Sequence, residues 1–336
     1  MQMNRKVRWG VLSTAAIGME KVIPAMQQGQ WSEISAIASR DLKNAKQASK
    51  RLVIAKAYGS YDALIADEEI DAIYNPLPNH LHLPWTVRAA EAGKHVLCEK
   101  PIGLNVSEVQ QLIAARDRTG VKIQEAFMVR THPQWLLTKE LVESGRIGEL
   151  RAIVGFFSYF NRDPANIRNQ LEIGGGALMD IGCYPINLSR FIFSAEPRRV
   201  LGLIERDSDL GIDRLTSAIL DFPAGQATFT CSTQLTSFQR MQFFGTRGRL
   251  EVEIPFNAPS DKPTRILIHD GSDLAGNNAE VREVPICNQY TIQGDLFSRA
   301  IIENSAQAVS LEDSELNMTV IDALFRSASA DKWEAI

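Results

Sequence analysis

Residues 7–126 alternate short apolar runs with helical patterns, and this rhythm limits the possible folds more than any other feature of the chain. Strands are expected at Val7–Leu12, Glu33–Ser39, Ile70–Asn75, His95–Cys98 and Val121–Ala126. Helices are expected between them at Met19–Gln28, Leu42–Arg51, Leu81–Ala92 and Ser107–Thr119. A helix that carries the chain back over the sheet after each strand gives a doubly wound parallel α/β layer, covered on both faces. Gly93 and Gly120 each stand where a helix must stop, take a left-handed backbone and feed a strand.

Beyond Ala126 the rhythm changes. A helix at Pro133–Glu143 leads to a long strand at Leu150–Phe160, and a glycine-rich helix start follows at Gly174. Strands are then expected at Arg199–Glu205, Thr216–Phe222, Gln226–Thr233, Met241–Phe244, Arg249–Ile254 and Arg265–His269. Turns such as Pro-Ala-Gly225 and Thr-Arg-Gly248 join them into a largely antiparallel open sheet. Helices at Thr291–Glu303 and Asp313–Ser327 close an α+β domain. With 336 residues, 45% of them hydrophobic, the chain supports two cores. The expected division is 1–126 and 127–336, with the C-terminal helix able to pack back on the first domain. The alternating strand Gln226–Thr233 leaves one sheet face open for a homodimer or homotetramer.

Composition excludes several function classes. The 36 basic and 40 acidic residues are scattered, giving a net charge of −4 with no basic stripe for nucleic acid and no polybasic patch for a membrane surface. Cys98, Cys183, Cys231 and Cys287 lie far apart, so neither a zinc site nor a disulfide framework is expected. No apolar signal segment precedes Val7 and no run is long enough to span a bilayer, so a soluble cytoplasmic protein is expected.

The first strand enters the small-residue turn Ser13-Thr14-Ala15-Ala16-Ile17-Gly18. A dinucleotide fingerprint G-x-G-x-x-G would fall on Ser13, Ala15 and Gly18, so only its third glycine is present. Ser13 and Ala15 are still small, and the amides of Ser13 to Ile17 can meet a pyrophosphate at the helix start; the alternative is an ordinary βα turn. The next strand ends in Ser39-Arg40-Asp41. Ser39 and Arg40 suit the 2′-phosphate of NADP. Asp41 either binds the ribose diol of NAD or caps the helix at Leu42, so NADP is expected with NAD left open.

Two constellations can carry chemistry. Glu99-Lys100-Pro101 ends a strand on the side where doubly wound sheets bind ligands, although a solvated Glu99–Lys100 pair is the plainer reading. In Gly174-Gly-Gly-Ala-Leu-Met-Asp180-Ile-Gly-Cys-Tyr184, the Asp and Tyr stand four apart and share a helix face. A carboxylate and a phenol so placed can hold a polyol and take its proton; a capping Asp and a core Tyr are the alternative. His132 and Arg168 are candidate substrate contacts or structural polar groups, and Asn187 follows Tyr184 by one turn. His80 and His82, two apart, do not share a helix face, and no metal pair is expected.

The succession of a near-glycine fingerprint, Glu99-Lys100-Pro101, Glu125-Ala-Phe-Met128 and Gly174-Gly-Gly-x-Leu-x-Asp180-x-Gly-x-Tyr184 resembles the Gfo/Idh/MocA family of NAD(P)-dependent sugar oxidoreductases. Tyr184, where many relatives carry histidine, is similar to the branch with glucose-fructose oxidoreductase, NADP-dependent xylose dehydrogenase and dimeric dihydrodiol dehydrogenase. The resemblance implies a Rossmann domain with Pro76, Leu77, Asn79, His80, Glu99 and Lys100 beside the cofactor. It implies hydride transfer between a nicotinamide and a sugar or polyol, with Tyr184 as acid/base assisted by Lys100. Asp180, Arg168 and His132 would then touch substrate. A regulator on the same fold that binds NADP without catalysis is the rival reading.

Overall fold

The computed structural model describes residues 5–336. Its first sheet contains β1 (Val7–Leu12), β2 (Ser32–Ala38), β3 (Lys56–Tyr58), β4 (Ala72–Asn75), β5 (His95–Cys98) and β6 (Ile123–Glu125). The strands are ordered β3-β2-β1-β4-β5-β6 and every pairing is parallel. This is the doubly wound arrangement expected from the sequence. Its strand order reverses beside β1, which opens a crevice at the carboxyl ends of β1 and β4. The accompanying helices are α1 (Ile23–Met26), α2 (Leu42–Leu52), α3 (Tyr61–Ile65), α4 (His82–Glu91) and α5 (Val106–Thr119).

The helix expected at Met19–Gln28 is in fact two pieces. A π-helical turn at Gly18–Val22 runs into α1, and Ile23 N bonds Gly18 O. Pro24 supplies the reason: it has no N–H for the carbonyl of Glu20, four residues earlier, so the ladder cannot continue with α-helical spacing. The sequence reading also missed β3 and α3, which are three and five residues long. Ser60 caps α3 by accepting from Ala63 N at 3.2 Å.

The second sheet has nine strands: β7 (Leu150–Phe160), β8 (Arg199–Arg206), β9 (Asp213–Phe222), β10 (Gly225–Ser232), β11 (Gln234–Gly245), β12 (Arg249–Val252), β13 (Thr264–His269), β14 (Glu280–Val284) and β15 (Glu334–Ala335). Their order is β14-β13-β12-β11-β7-β10-β9-β8-β15. Only the β7–β10 pairing is parallel, so the sheet is largely antiparallel as expected. The remaining helices are α6 (Pro133–Glu143), α7 (Cys183–Phe193), α8 (Gln289–Ile302) and α9 (Leu311–Ala330).

The chain forms two compact units. One runs to Thr131 and includes Asn288–Glu315; the other comprises His132–Cys287 and Leu316–Ile336. The sequence reading divided the chain at Ala126 and assigned α8 to the second domain, whereas α8 groups with the first unit. The first unit's core explains this. Trp9, fully buried, donates from Nε1 to Ser298 Oγ at 3.0 Å, and its ring lies 5.8 Å from that of Phe297. Asp295, also on α8, accepts from Gln30 N at 2.8 Å and Trp31 N at 3.0 Å.

In the second unit, β7 turns Gly155, Phe157 and Tyr159 toward α7. A Cβ on Gly155 would stand 3.2 Å from Pro185 Cβ, and the Phe157 ring lies 6.0 Å from Tyr184. Pleating sends Val154 and Phe160 to the opposite face, where they are exposed along with Phe238 and Leu203. Among the described residues, no helix is long and apolar enough to cross a membrane.

Candidate active site

The nucleotide half is built at the carboxyl ends of β1, β2, β4 and β5. After Leu12 the chain turns at Ser13, whose φ is 75°. The fingerprint's first glycine would take this left-handed conformation freely; serine takes it at a cost of ~1 kcal/mol. Ser13 Oγ accepts from Ala15 N at 3.2 Å, which tightens the turn from within. Thr14 to Ile17 remain partly or fully exposed, and no side-chain bond from Ile17 caps the helix start. A helix start of this kind presents amides and a positive dipole end to an anion.

At the end of β2, Ser39 is buried and its hydroxyl accepts from Asp41 N at 3.3 Å. The Asp41 carboxylate accepts from Lys43 N at 2.8 Å, so it caps α2. Arg40 and Asp41 are both exposed at this strand end, Asp41 with one carboxylate oxygen engaged in the cap. An open anion turn and a guanidinium with its neighbouring carboxylate engaged elsewhere fit a dinucleotide with a 2′-phosphate. So does His80, whose buried Nδ1 has no protein partner.

The loops after β4 and β5 are tied together by residues that the sequence reading passed over. Asn75 donates to Thr86 Oγ1 at 3.1 Å and accepts from Leu77 N at 3.3 Å, which fixes the buried Pro76-Leu77 turn. His82, read from sequence only as half of a discarded metal pair, lies between the two loops. Its Nε2 is 2.7 Å from Leu77 O and its Nδ1 is 2.8 Å from Pro101 O. Only a doubly protonated ring donates to both carbonyls, yet burial and the nearby Lys100 charge hold its pKa down to about 4. At neutral pH the ring therefore makes one true hydrogen bond at a time, and neither nitrogen is a free metal ligand.

Lys100, half-buried, precedes a cis peptide to Pro101. Tyr74 donates to Glu99 Oε1 at 2.6 Å on one side, and Ile102 N donates to Glu125 Oε1 at 2.9 Å on the other. Its flanking residues are thus bonded to β4, α4 and β6. Burial first, then the charge of Glu99, pushes the Tyr74 phenol well above its ordinary range, so it remains a donor.

The second unit assembles the other candidates. A π-helical turn at Leu178–Gly182 carries Asp180 and runs into α7, which carries Tyr184. Pro185 again lacks an N–H, here for the carbonyl of Ile181. Asp180 Oδ2 accepts from Tyr159 OH at 2.6 Å and from Arg168 Nε at 3.1 Å. Burial and the Asp180 charge raise the Tyr159 phenol far above its ordinary range; Asp180 also raises Arg168, which remains cationic. Tyr184 is 6% exposed, and its ring lies 5.5 Å from Phe256. The same unit holds an isolated carboxyl, Asp213, that accepts from Leu178 N at 2.6 Å.

Residues 7–127 match the oxidoreductase family with an NAD-binding Rossmann fold, and residues 135–251 match the Gfo/Idh/MocA C-terminal domain. The chain belongs to the Gfo/Idh/MocA oxidoreductase family. It is similar to the uncharacterized oxidoreductase ORF334 of Rhizobium meliloti, 51% identical over 98% of this chain and 99% of that one. It is similar to D-xylose 1-dehydrogenase (NADP(+)) 2 of Haloferax volcanii, 35% identical over 95% and 97% of the two chains. Among solved structures, KijD10, a 3-ketoreductase from Actinomadura kijaniata in complex with NADP and TDP-benzene, superposes with a TM-score of 0.90. That pair is 29% identical, with 96% of this chain and 98% of KijD10 covered. KijD10 has also been crystallised with one tyrosine replaced by phenylalanine and with one lysine replaced by alanine or glutamate.

In this Gfo/Idh/MocA protein the structure groups Arg168, Asp180 and Tyr184 in one unit, and Ser13 to Ile17, Ser39, Arg40, Pro76 to His80, Glu99 and Lys100 in the other. His132 is a different case. Its Nδ1 accepts from Gln134 N at 3.1 Å and caps α6, so the proton is on Nε2, which faces Cys287 Sγ at 3.3 Å. Both nitrogens have protein partners and the ring is 1% exposed, so His132 is placed as a structural group. The tripeptide spacing to Gln134 is the sequence signal of such a cap.

Proposed function

We propose that this protein is an NADP-dependent oxidoreductase of sugars or related polyols, with Tyr184 as the acid/base group. The observation that carries the reading is the Asp180–Tyr184 helix start, whose carboxylate is already aligned by Tyr159 and Arg168. When bound, the nicotinamide exchanges a hydride with the substrate's carbinol carbon. Oxidation also removes the hydroxyl proton, and the phenolate oxygen of Tyr184 accepts it; in reduction the phenol returns it. A free phenol titrates near ~10, so it needs help at neutral pH. The family resemblance gives that assisting role to Lys100, since a cation favours a phenolate. Asp180 and Arg168 orient the sugar hydroxyls. In KijD10, the replaced lysine and tyrosine are separated along the chain by the same number of positions as Lys100 and Tyr184.

Arg40 and Ser39 favour NADP over NAD. A second copy of this chain covers the open face bearing Val154, Phe160, Leu203 and Phe238, and four cysteines outside any disulfide suit a reducing cytoplasm. Light scattering on Phe238→Asp, beside the wild type, tests the interface; a monomeric wild type overturns it.

The deciding experiment is Tyr184→Phe, assayed by NADPH absorbance against aldoses, dihydrodiols and keto-sugars. Turnover is expected to fall by roughly 10²–10⁴ while NADPH affinity is kept. Near-wild-type turnover removes Tyr184 from the mechanism. NADPH binding with no turnover of any substrate by the wild type favours a nucleotide-responsive regulator.

A further inference from the structure

Three consecutive glycines precede the Asp180 turn, and their surroundings differ. Gly174 ends a one-turn helix at φ 86°. A Cβ on Gly175 would stand 2.6 Å from Arg168 O and 2.7 Å from Gln170 O, so this position is closed by backbone. A Cβ on Gly176 would stand 1.9 Å from Asp213 Oδ1. The third glycine is therefore bare because a carboxylate fills the space where its side chain would be.

That carboxylate comes from the first residue of β9 and is 1% exposed. Its Oδ2 accepts from Leu178 N at 2.6 Å and from Thr216 Oγ1 at 3.2 Å. Leu178 begins the π-helical turn, and the preceding Ala177 has no side chain with which to cap it. A strand residue 35 positions away thus does the work normally done by a local Ser, Thr or Asp. Asp180 follows Leu178 by two residues and Tyr184 by six, and Asp180 N bonds Gly176 O at 3.0 Å. Burial pushes the Asp213 carboxyl up to about 6, against the pull of the Leu178 amide and the Thr216 hydroxyl.

We infer that Asp213 is a positioning residue for the reaction: by holding Leu178 N it fixes the height and rotation of the turn that presents Asp180 and Tyr184. The inference rests on the acid/base reading of Tyr184. The other side-chain bonds at this turn go to Asp180, from Tyr159 and Arg168, and Asp180 is the group that must be presented to substrate. A misplacement of about 1 Å at reacting groups costs as much as ~10² in rate.

The test compares Asp213→Ala with Asp213→Asn, using kinetics and amide hydrogen exchange. Asp213→Ala is expected to lower kcat by roughly 10- to 100-fold, to leave the Kd for NADPH unchanged, and to speed exchange across residues 177–184. Asp213→Asn keeps an oxygen facing Leu178 N and is expected to restore both kcat and exchange protection. Equal losses in the two variants, or an unchanged exchange pattern in Asp213→Ala, overturn the inference. Should Asp213→Ala fail to fold, the wild type decides: a Leu178 amide that exchanges as fast as an uncapped helix start overturns the anchor. Exchange also separates this idea from the reading beneath it. A fully active Tyr184→Phe with a loosened Asp213→Ala turn refutes the acid/base assignment and leaves the anchor standing.

Discussion

The two helix starts that follow Leu12 and Ile173 are built alike and finished differently. Each begins with a small-residue turn at positive φ, Ser13 in one and Gly176 in the other. Each continues into a π-helical turn and then an α-helix, with Pro24 or Pro185 removing an amide from the ladder. At the second start the protein supplies its own anion, Asp213, and the amide of Leu178 is satisfied. At the first the N-cap residue makes no such bond. The difference teaches what decides whether a helix start binds a ligand or merely holds a side chain in place: the presence or absence of a resident carboxylate.

Supplying the missing carboxylate should have the largest effect. Ser13→Asp keeps a residue that tolerates the left-handed backbone, and is expected to weaken NADPH binding at least ~100-fold, because opposing a like charge costs several kcal/mol. Fluorescence titration measures it, and an unchanged Kd breaks the comparison. Gly176→Ala attacks the other start from the opposite side. The clash with Asp213 and the positive φ are expected to cost about 2–4 kcal/mol in urea unfolding, and a neutral result would mean that the carboxylate does not need this space.

A pH series sharpens the picture further. The folded-state pKa of Asp213, about 6, lies above its ordinary 3.8, so the native state binds this proton more tightly than the unfolded chain. The associated stability is complete below the unfolded pKa and is lost as pH rises through the folded one. The wild type should therefore lose on the order of 2 kcal/mol relative to Asp213→Asn between about pH 4 and pH 7. Parallel unfolding curves at all pH values would refute the burial of this carboxyl. Ser13→Gly is the mildest probe: releasing the left-handed serine should raise stability by no more than about 1 kcal/mol in thermal melts.

The fold was legible wherever periodicity was sustained. β1, β5, β7 and α6 have the bounds that their apolar runs indicate. Short elements were not legible, because three residues of β3 establish no period. Nor was the π-helical turn at Gly18, although Pro24 was its visible cause. Within the site, the three glycines at 174–176 were visible, but not the surfaces that close on them. Asp213 heads an ordinary-looking strand, and its partner lies 35 positions away. His82 was read by spacing to His80 alone, whereas its partners are carbonyl oxygens that have no sequence signature.

The hydrogen bond from Trp9 to Ser298 links residues 289 positions apart. On the ribosome, the indole that completes the nucleotide-binding core is made long before its acceptor. The nascent N-terminal segment must wait, with that core unfinished, while the whole intervening sheet is synthesised. A fragment stopped at Thr131 would leave this tryptophan uncovered, a natural handle for chaperones. Early truncation should therefore yield an aggregating product in place of a smaller nucleotide binder.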